Sequence, residues 1–204
     1  MVQSFIGRIR SAEKTVEPDP MKKQMHISRA AYAAALIAIA TPSLAAVMVG
    51  GAPMYASKNI VQNAAKSKDH TTLVAAVKAA GLVDTLMSAG PFTVFAPVNK
   101  AFEKLPKGTV ETLLKPENKD TLTAVLTYHV VAGKLSADEL RAKVEAGGGK
   151  ANLMTVQGEN LTVVEAGRRI EILDAKGDRS SITIPDVNQS NGVIHVVDTV
   201  LLPK

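Results

Sequence analysis

Histidines and acidic pairs are the side chains of this sequence with the greatest capacity for chemistry. His129 follows Tyr128 on what reads as an apolar helical stripe, and His195 lies between Ile194 and Val196. No nucleophile or second metal ligand lies at a suitable spacing from His129, so a general-base or metal role is disfavoured. We predict that both imidazoles are neutral, hydrogen-bonded core groups, while direct contact of His129 with a partner stays open.

The sequence patterns of the common enzyme classes are missing. There is no Gly-x-Ser-x-Gly and no His-Glu-x-x-His, and Gly149-Lys150 is followed by Ala151 instead of the Ser or Thr of a phosphate loop. The chain has no Cys, which excludes a thiol nucleophile, a thiolate metal site and a disulfide scaffold. The acidic pair Asp138-Glu139 is explained by a capping box that begins at Ser136 and starts the last helix. We expect a non-catalytic protein without cofactor or metal, with hydrolase activity as the least favoured alternative.

The elements that position these groups change character along the chain. Helical periodicity dominates residues 59–144, with one early apolar strand at 92–96. After the glycines of 147–149 the pattern has period two, and turn signals such as Lys176-Gly177-Asp178 separate the strands. The last strand is expected at 193–202. Helices first and a strand meander last predict an α+β fold in which helices cover one face of a sheet sandwich.

Helix ends are predicted from capping residues. We expect Asp69 or Thr71, Asn99 and Asn118 each to accept the first free amides of the helix that follows it. Gly81 is expected to end the first of these helices in a left-handed conformation.

Residues 21–46 have the features of a secretory signal. Basic residues precede an apolar run at 30–40, and small residues follow it. The run is shorter than the roughly 20 residues that a membrane helix needs, although a retained anchor is an alternative. We predict cleavage after Ala45 or Ala46, and hence a secreted protein, periplasmic or extracellular, that meets a membrane only during export.

The remaining segments are assigned around this signal. Residues 1–20 form an extension without periodicity, which lies upstream of the true start if translation begins at Met21. Residues 47–56 are expected to be a leader, and 57–204 a single domain.

The charge balance gives no case for nucleic-acid binding. The whole chain carries 24 basic and 19 acidic residues, a net charge of +5. Residues 1–46 hold six of the basic and three of the acidic residues, which leaves a net charge of +2. Basic residues of this remainder do not interleave with stacking aromatics. We expect a monomer whose partner is not a nucleic acid.

Three segments carry a family resemblance. Residues 93–102 read TVFAPVNKAF, the pair Tyr128-His129 stands in LTYHVVAG, and residues 191–203 read NGVIHVVDTVLLP. In order and spacing they resemble the fasciclin (FAS1) family, whose blocks read TVFAPTNxAF and NGxIHxIDxVLxP. Val98 replaces the usual Thr and Val197 the usual Ile. The resemblance covers about residues 57–204 and implies a β-sandwich wedge with an N-terminal helical layer.

The residue types in these blocks also predict structural roles. Pro97 should end a central strand, since it cannot donate to the ladder. Asn191-Gly192 should supply a positive φ for a tight turn into the last strand, and Asp198 should be a hydrogen-bond acceptor. The residues expected to build the scaffold are Thr93, Phe95, Pro97, Asn99, Phe102, Asn191, Gly192, His195 and Asp198.

The resemblance implies a function in cell adhesion or in the extracellular matrix, with a cell-surface or matrix protein or a glycan as partner. In the family the Tyr-His pair, here Tyr128 and His129, is linked to adhesion and also supports the fold. Asp186-Val187 resembles the Asp-Ile adhesion element that some animal fasciclin domains carry before the second block. The plainer interpretation of Asp186 and Val187 is the end of a strand with an Asp turn.

Other features leave alternatives open. The protein could carry an apolar small molecule, a lipid or pigment, in a groove between helices and sheet. The four basic residues Arg168, Arg169, Lys176 and Arg179 could form a basic corner for an anionic polymer, or could be solvated turn residues. Two further positions fit the pattern of glycan acceptors: Asn160 and Asn188.

Overall fold

A computed structural model describes residues 46–204. The extension at 1–20 and the predicted signal up to residue 45 lie outside the described residues. None of the helices in residues 46–204 has the length and apolar character needed to cross a bilayer.

Seven helices and nine strands make up the described chain. The helices are α1 (Ile60–Ala64), α2 (Thr71–Ala80), α3 (Val83–Met87), α4 (Asn99–Glu103), α5 (Thr109–Leu113), α6 (Lys119–Tyr128) and α7 (Ala137–Ala146). The strands are β1 (Val47–Val49), β2 (Ala52–Met54), β3 (Phe92–Pro97), β4 (Val130–Ala132), β5 (Lys150–Met154), β6 (Asn160–Ala166), β7 (Arg169–Leu173), β8 (Arg179–Gln189) and β9 (Gly192–Val197). Two short 3-10 helices precede α2 and α6, at Lys68–His70 and Pro116–Asn118.

The main sheet has seven strands in the order β4-β3-β9-β8-β7-β6-β5. Its neighbours are antiparallel except β3 and β9, which run parallel. The long strand β8 pairs with β7 at its start and with β9 from Ile182 onward, and two register shifts, at 182/184 and 184/187, interrupt its pairing with β9. Because bulges bend a strand, β8 joins two half-sheets that face each other. The predicted α+β fold, a sandwich wedge with a helical layer, is confirmed.

The two edges of this sheet approach each other. Val131 of β4 bridges Thr155 just after β5, and the amide of Val156 donates to the carbonyl oxygen of Val130 at 2.7 Å. This contact satisfies part of each edge, so the sheet is more barrel-like than the sequence indicated.

Two large apolar cores lie on opposite faces of β3 and β9. The core between the half-sheets includes Phe95, Leu161 and Ile172, all 0% exposed. The other core packs the helices on the sheet, with Leu73 and Leu126 among its buried members. As predicted, β3 is a central strand with apolar residues on both faces.

The segment expected to be a leader is part of the packed structure. Strands β1 and β2 form a hairpin whose Val49 and Met54 are 3% and 4% exposed and belong to the helix–sheet core. At the turn, Gly50 (φ 58°) lies so close to the backbone of Asp69 and the hydroxyl of Ser67 that a Cβ would clash with both. The compact unit therefore begins before residue 57, the position at which the sequence predicts the start of the domain.

The predicted capping of α2 and α4 is wrong. Neither Asp69 nor Thr71 caps α2; the amide of Thr72 donates to Asn99 Oδ1 at 3.0 Å. Asn99 was expected to cap its own helix, but the N-cap position of α4 is Val98, without a side-chain bond. Asn99 thus caps a helix that is distant in sequence, and so joins the start of α4 to the start of α2.

Of the other helix-end predictions, that for Asn118 is wrong and those for α7 and Gly81 are confirmed. Asn118 occupies the N-cap position of α6, but its side chain donates to the carbonyl oxygen of Thr112 instead of capping. The capping box of α7 is confirmed, because Ser136 and Glu139 bond each other's backbone amides. The amide and the hydroxyl of Ser136 both donate to the Glu139 carboxylate, and these two bonds lower its pKa. Gly81 ends α2 with a φ of 73°, as expected.

Candidate functional site

His129 is a buried connector between α6 and the C-terminal segment. It lies at the end of α6 and is 3% exposed. Its Nδ1 is 2.8 Å from the carbonyl oxygen of Val125, and its Nε2 is 3.0 Å from the amide nitrogen of Leu201. Nδ1 therefore donates and Nε2 accepts, which requires a neutral ring. Burial lowers the pKa of His129 to about 4.

The chain after Thr199 is held by side chains instead of strand pairing. The sequence predicted a strand through Leu202, but β9 ends at Val197. Beyond it, successive amides donate to acceptors on other elements: Thr199 to Ser180 Oγ, Leu201 to His129 Nε2, Leu202 to Asp174 Oδ2 and Lys204 to Glu159 Oε2, all between 2.9 and 3.1 Å. This side-chain ladder anchors the C-terminal segment to the sheet.

Asp174 is a residue whose role sequence reasoning missed. It is 7% exposed, and its Oδ1 accepts from the amides of Lys176 and Asp178, both at 2.9 Å. The bond from the amide of Lys176, two residues later, is the signature of an Asx turn, and the Lys-Gly-Asp turn signal that follows could have identified it.

Tyr128 is fully buried beside His129. Its side chain is 0% exposed, and its hydroxyl donates to the carbonyl oxygen of Asn160 at 3.0 Å. Burial raises the pKa of Tyr128 to about 12. Because both side chains of the pair point into the protein, neither offers a surface that a partner could contact in this conformation.

His195 joins the sheet to the loop before α7. It is 0% exposed, and its Nε2 donates to the carbonyl oxygen of Leu135 at 2.8 Å. Its Nδ1 accepts from the amide of Asp186 at 3.3 Å, and its ring stacks on Phe95 with centroids 5.8 Å apart. Burial lowers the pKa of His195, so this ring is also neutral.

Thr93 fixes the same loop from the other side. It is 0% exposed, and its hydroxyl donates to the carbonyl oxygen of Gly133 at 2.7 Å and accepts from the amide of Leu135 at 2.9 Å. Leu135 is therefore held through its amide by Thr93 and through its carbonyl by His195, which sets the position from which α7 starts.

Asp186 lies at a bulge of β8, next to the start of α7. It has a φ of 56°, which Asp tolerates better than most residues. Its Oδ1 accepts from the amide of Ala137 at 2.8 Å, and the residue is half-buried. Val187 is 1% exposed. Of the predicted Asp-Val element, only Asp186, with the exposed Pro185 before it, reaches the surface.

Asn191 and Gly192 connect the sheet to the helices. Asn191 Oδ1 accepts from the amide of Ile60 at 3.0 Å, and its Nδ2 donates to the carbonyl oxygens of Leu86 and Ser88, both at 2.8 Å. Gly192 has a φ of 157°, positive but far from the left-handed turn value near +57°. The stronger requirement for glycine is contact, since a Cβ there would overlap the backbone of Phe92.

The remaining block residues also face inward or pair locally. Asp198 Oδ1 accepts from the amide of Ser181 at 2.9 Å, and its other oxygen is 3.8 Å from Lys104 Nζ. Pro97 ends β3, where it is paired in register with β9. Phe102 is half-buried and packs on the helix–sheet core.

The basic residues of the β half do not assemble into one corner. Arg168 and Arg169 lie at the tip of the β6–β7 hairpin, whereas Lys176 and Arg179 lie at the opposite end of β7. Arg179 is engaged by Glu171, with 2.8 Å between Nη1 and Oε2. Because the two basic pairs lie at opposite ends of β7 and Arg179 is paired with Glu171, these four residues do not form a single basic site.

Two further expectations concern metals and glycans. Within residues 46–204, no group of three or more His, Asp or Glu side chains is placed to hold a metal ion. The two positions with a glycan-acceptor pattern, Asn160 and Asn188, are exposed.

An apolar cavity of about 60 Å³ lies between the helices and the sheet. Its walls come from α1, α2, α3 and α6 on one side and from β3 and β9 on the other. Among the lining residues are Leu73, Val77, Leu86, Val94, Leu126 and Ile194. This cavity occupies the place at which the sequence suggested a groove for an apolar ligand.

Known proteins match this chain over most of its described length. The Fasciclin domain family model matches residues 68–203. Protein sll1483 of Synechocystis sp. is 46% identical over 156 residues, which covers 76% of this chain and 79% of that protein. Immunogenic protein MPB70 of Mycobacterium bovis is 32% identical over 194 residues, covering 85% of this chain and 92% of that protein. Cell surface glycolipoprotein MPB83 of the same species is 37% identical over 122 residues, covering 60% and 48%.

The fold also matches a solved structure. A FAS1 domain pair from the insect cell adhesion molecule Fasciclin I aligns with a TM-score of 0.64 and 20% identity. The alignment covers 71% of this chain and 51% of that one, so this chain spans about half of the pair. At this identity, the similarity establishes the common fold.

Proposed function

Because this chain belongs to the fasciclin domain family, we propose that it is a non-catalytic secreted or cell-surface protein acting in adhesion or matrix contact. Family membership over residues 68–203 is the observation that carries the proposal. The names of two similar proteins support the proposal: one relative is a cell surface glycolipoprotein, and the structural neighbour is a cell adhesion molecule. The predicted signal at 21–46 fits the same location.

The partner, a surface or matrix protein or a glycan, would contact the bulge of β8. The Tyr-His pair is buried, so it acts through the fold. Asp186 is held by the amide of Ala137 through one oxygen, which leaves its second oxygen for a partner beside the exposed Pro185. The carboxylate is thus already oriented before binding, which lowers the ordering cost of recognition.

Binding of the mature domain to host cells or purified matrix tests this site. Asp186→Asn keeps an acceptor for Ala137 and removes the charge, so we expect a several-fold loss of binding with an unchanged melting temperature. Asp198→Asn is the matched control, since Asp198 also accepts one backbone amide, at 2.9 Å. Equal binding by both variants and the parent protein would reject the bulge as the adhesion site.

A second function, carriage of an apolar small molecule, is favoured by the cavity between helices and sheet. Native mass spectrometry of protein isolated from its natural source tests it. We expect a bound species that is lost on unfolding. A mass equal to that of the polypeptide alone would reject carriage.

A further inference from the structure

We propose that the apolar cavity takes the hydrocarbon end of a single-chain anionic amphiphile, a fatty-acid carboxylate, whose headgroup lies at Lys78 and Lys119. This inference rests on the second function above and names the ligand class of that cavity.

The walls of the cavity accept hydrocarbon and reject water. They are formed largely by aliphatic side chains; His129 also lines the cavity, as does Phe95, whose ring packs in the core on the opposite face of β3. Both nitrogens of His129 are engaged, one by Val125 and one by Leu201, so the imidazole presents no free polar atom. A buried water needs two to four polar partners, which this lining does not supply. The end of an alkyl chain therefore occupies this cavity more favourably than water does.

Size limits what can enter. The enclosed volume is about 60 Å³, well under the roughly 150 Å³ of a cavity that holds benzene. By proportion the cavity encloses about two carbons of a chain, and it is too small for a ring. A straight alkyl chain satisfies this limit because its remaining carbons can continue through the mouth.

The mouth lies between α1, α2 and α3. Ala65 and Lys78 are exposed where they line it, and Val61, Val74 and Val83 are half-buried. The alkyl chain of a bound ligand that leaves the cavity therefore passes over apolar side chains before it reaches solvent. Its head emerges beside Lys78, the one charged residue in the lining.

A second ammonium group lies beside the end of α2, the helix that carries Lys78. Lys119 Nζ lies 3.6 Å from the point where a Cβ of Gly81 would stand, at the end of the helix that carries Lys78. Neither lysine forms an ion pair within 4.0 Å among residues 46–204, although Asp84 and Asp120 are exposed on neighbouring helices. One ammonium group at the mouth of an aliphatic cavity, with a second beside the end of the same helix, matches a carboxylate attached to an alkyl chain.

Titration of the purified domain with decanoate, followed by methyl NMR, tests the proposal. We expect saturable one-to-one binding that perturbs the methyl groups of Val77, Leu86 and Val94. Decanol, with the same chain and no charge, should bind at least fivefold more weakly, and acetate should cause no methyl shifts.

Three variants identify the site. Lys78→Glu should weaken decanoate binding at least fivefold, and Val74→Phe should abolish it by filling the mouth. Lys143→Glu is the matched control, because Lys143 is likewise an exposed lysine in the last turn of a ten-residue helix, α7, and should leave binding unchanged. Melting curves of all three establish that they are folded.

Several results would overturn the proposal. Absence of methyl shifts, or shifts that never saturate, would make the cavity a packing void only. Equal affinity for decanol and decanoate, or for the Lys78→Glu and Lys143→Glu variants, would reject the headgroup site. Saturable decanoate binding by a protein that carries no ligand in its natural source would support the site and reject carriage.

Discussion

Acidification should destabilise this protein through His129. The ring is 3% exposed, donates through Nδ1 to Val125 and accepts through Nε2 from Leu201. A protonated ring would place a second N–H against the amide of Leu201, which has no lone pair to offer. The folded state therefore holds His129 neutral, and protonation favours the unfolded chain.

The size of the effect follows from the two pKa values. The pKa of His129 is about 4 in the folded state against 6.5 for an unperturbed imidazole. Since the folded value is the lower, the stabilisation is fully present above pH 6.5 and is lost as the pH falls from 6.5 through 4. Linkage gives a loss of about 1.4 kcal/mol at pH 5.5 and about 2.5 kcal/mol at pH 4.5 from this group alone.

Urea unfolding at a series of pH values measures this loss. Other groups also titrate, including His70 and His195, whose pKa values are lowered by burial. Comparison with His129→Gln cancels them, because Gln can donate and accept but does not titrate in this range. The parent protein should lose about 2.5 kcal/mol more than the variant between pH 7.5 and pH 4.5.

Parallel pH profiles of the parent and the variant would refute the reasoning. If the variant does not fold at pH 7, an NMR titration of the parent protein provides the same test. A His129 resonance that titrates near 6.5 in the folded state would show that the ring is accessible to protons without cost.

Three substitutions test the other contacts. Gly192→Ala should cost more than about 2 kcal/mol, since the added Cβ overlaps the Phe92 backbone, and an unchanged melting temperature would contradict that contact. Asn99→Ala should cost about 1 kcal/mol in urea unfolding because Thr72 loses its cap, and no loss would mean that the cap is unimportant. Thr93→Val should cost about 1–3 kcal/mol by leaving two backbone groups unpaired, and a value near zero would indicate that water replaces the hydroxyl.

Periodicity predicted most elements of the fold because it depends on local burial. The strand at 92–96, the capping box at Ser136 and the change from helices to strands after Gly147 all depend on residues close together in the chain. Burial of His129 also followed from its place on an apolar stripe. In each case the sequence pattern itself indicates which side of the element is buried.

The errors arose where a polar side chain bonds to a distant element. Asn99 caps α2, 27 residues earlier, and Asp174 binds the amide of Leu202, 28 residues later. Residue type indicates that such a group needs a partner but not which one. The C-terminal segment has the apolar pattern of a strand for the same reason: its apolar residues are buried, but its amides are bound by side chains of other elements.

The residues that identify this family and the residues that could meet a partner are different sets. Tyr128, His195 and Asn191 are at most 6% exposed, and each bonds to the backbone of another element. Their polar groups bond to other parts of the protein, so these residues support the scaffold. Under the adhesion function proposed above, a partner would be recognised by positions that the scaffold orients without enclosing, and Asp186 meets that description. Its backbone and one oxygen are fixed by His195 and the start of α7, while the rest of its carboxylate stays at the surface.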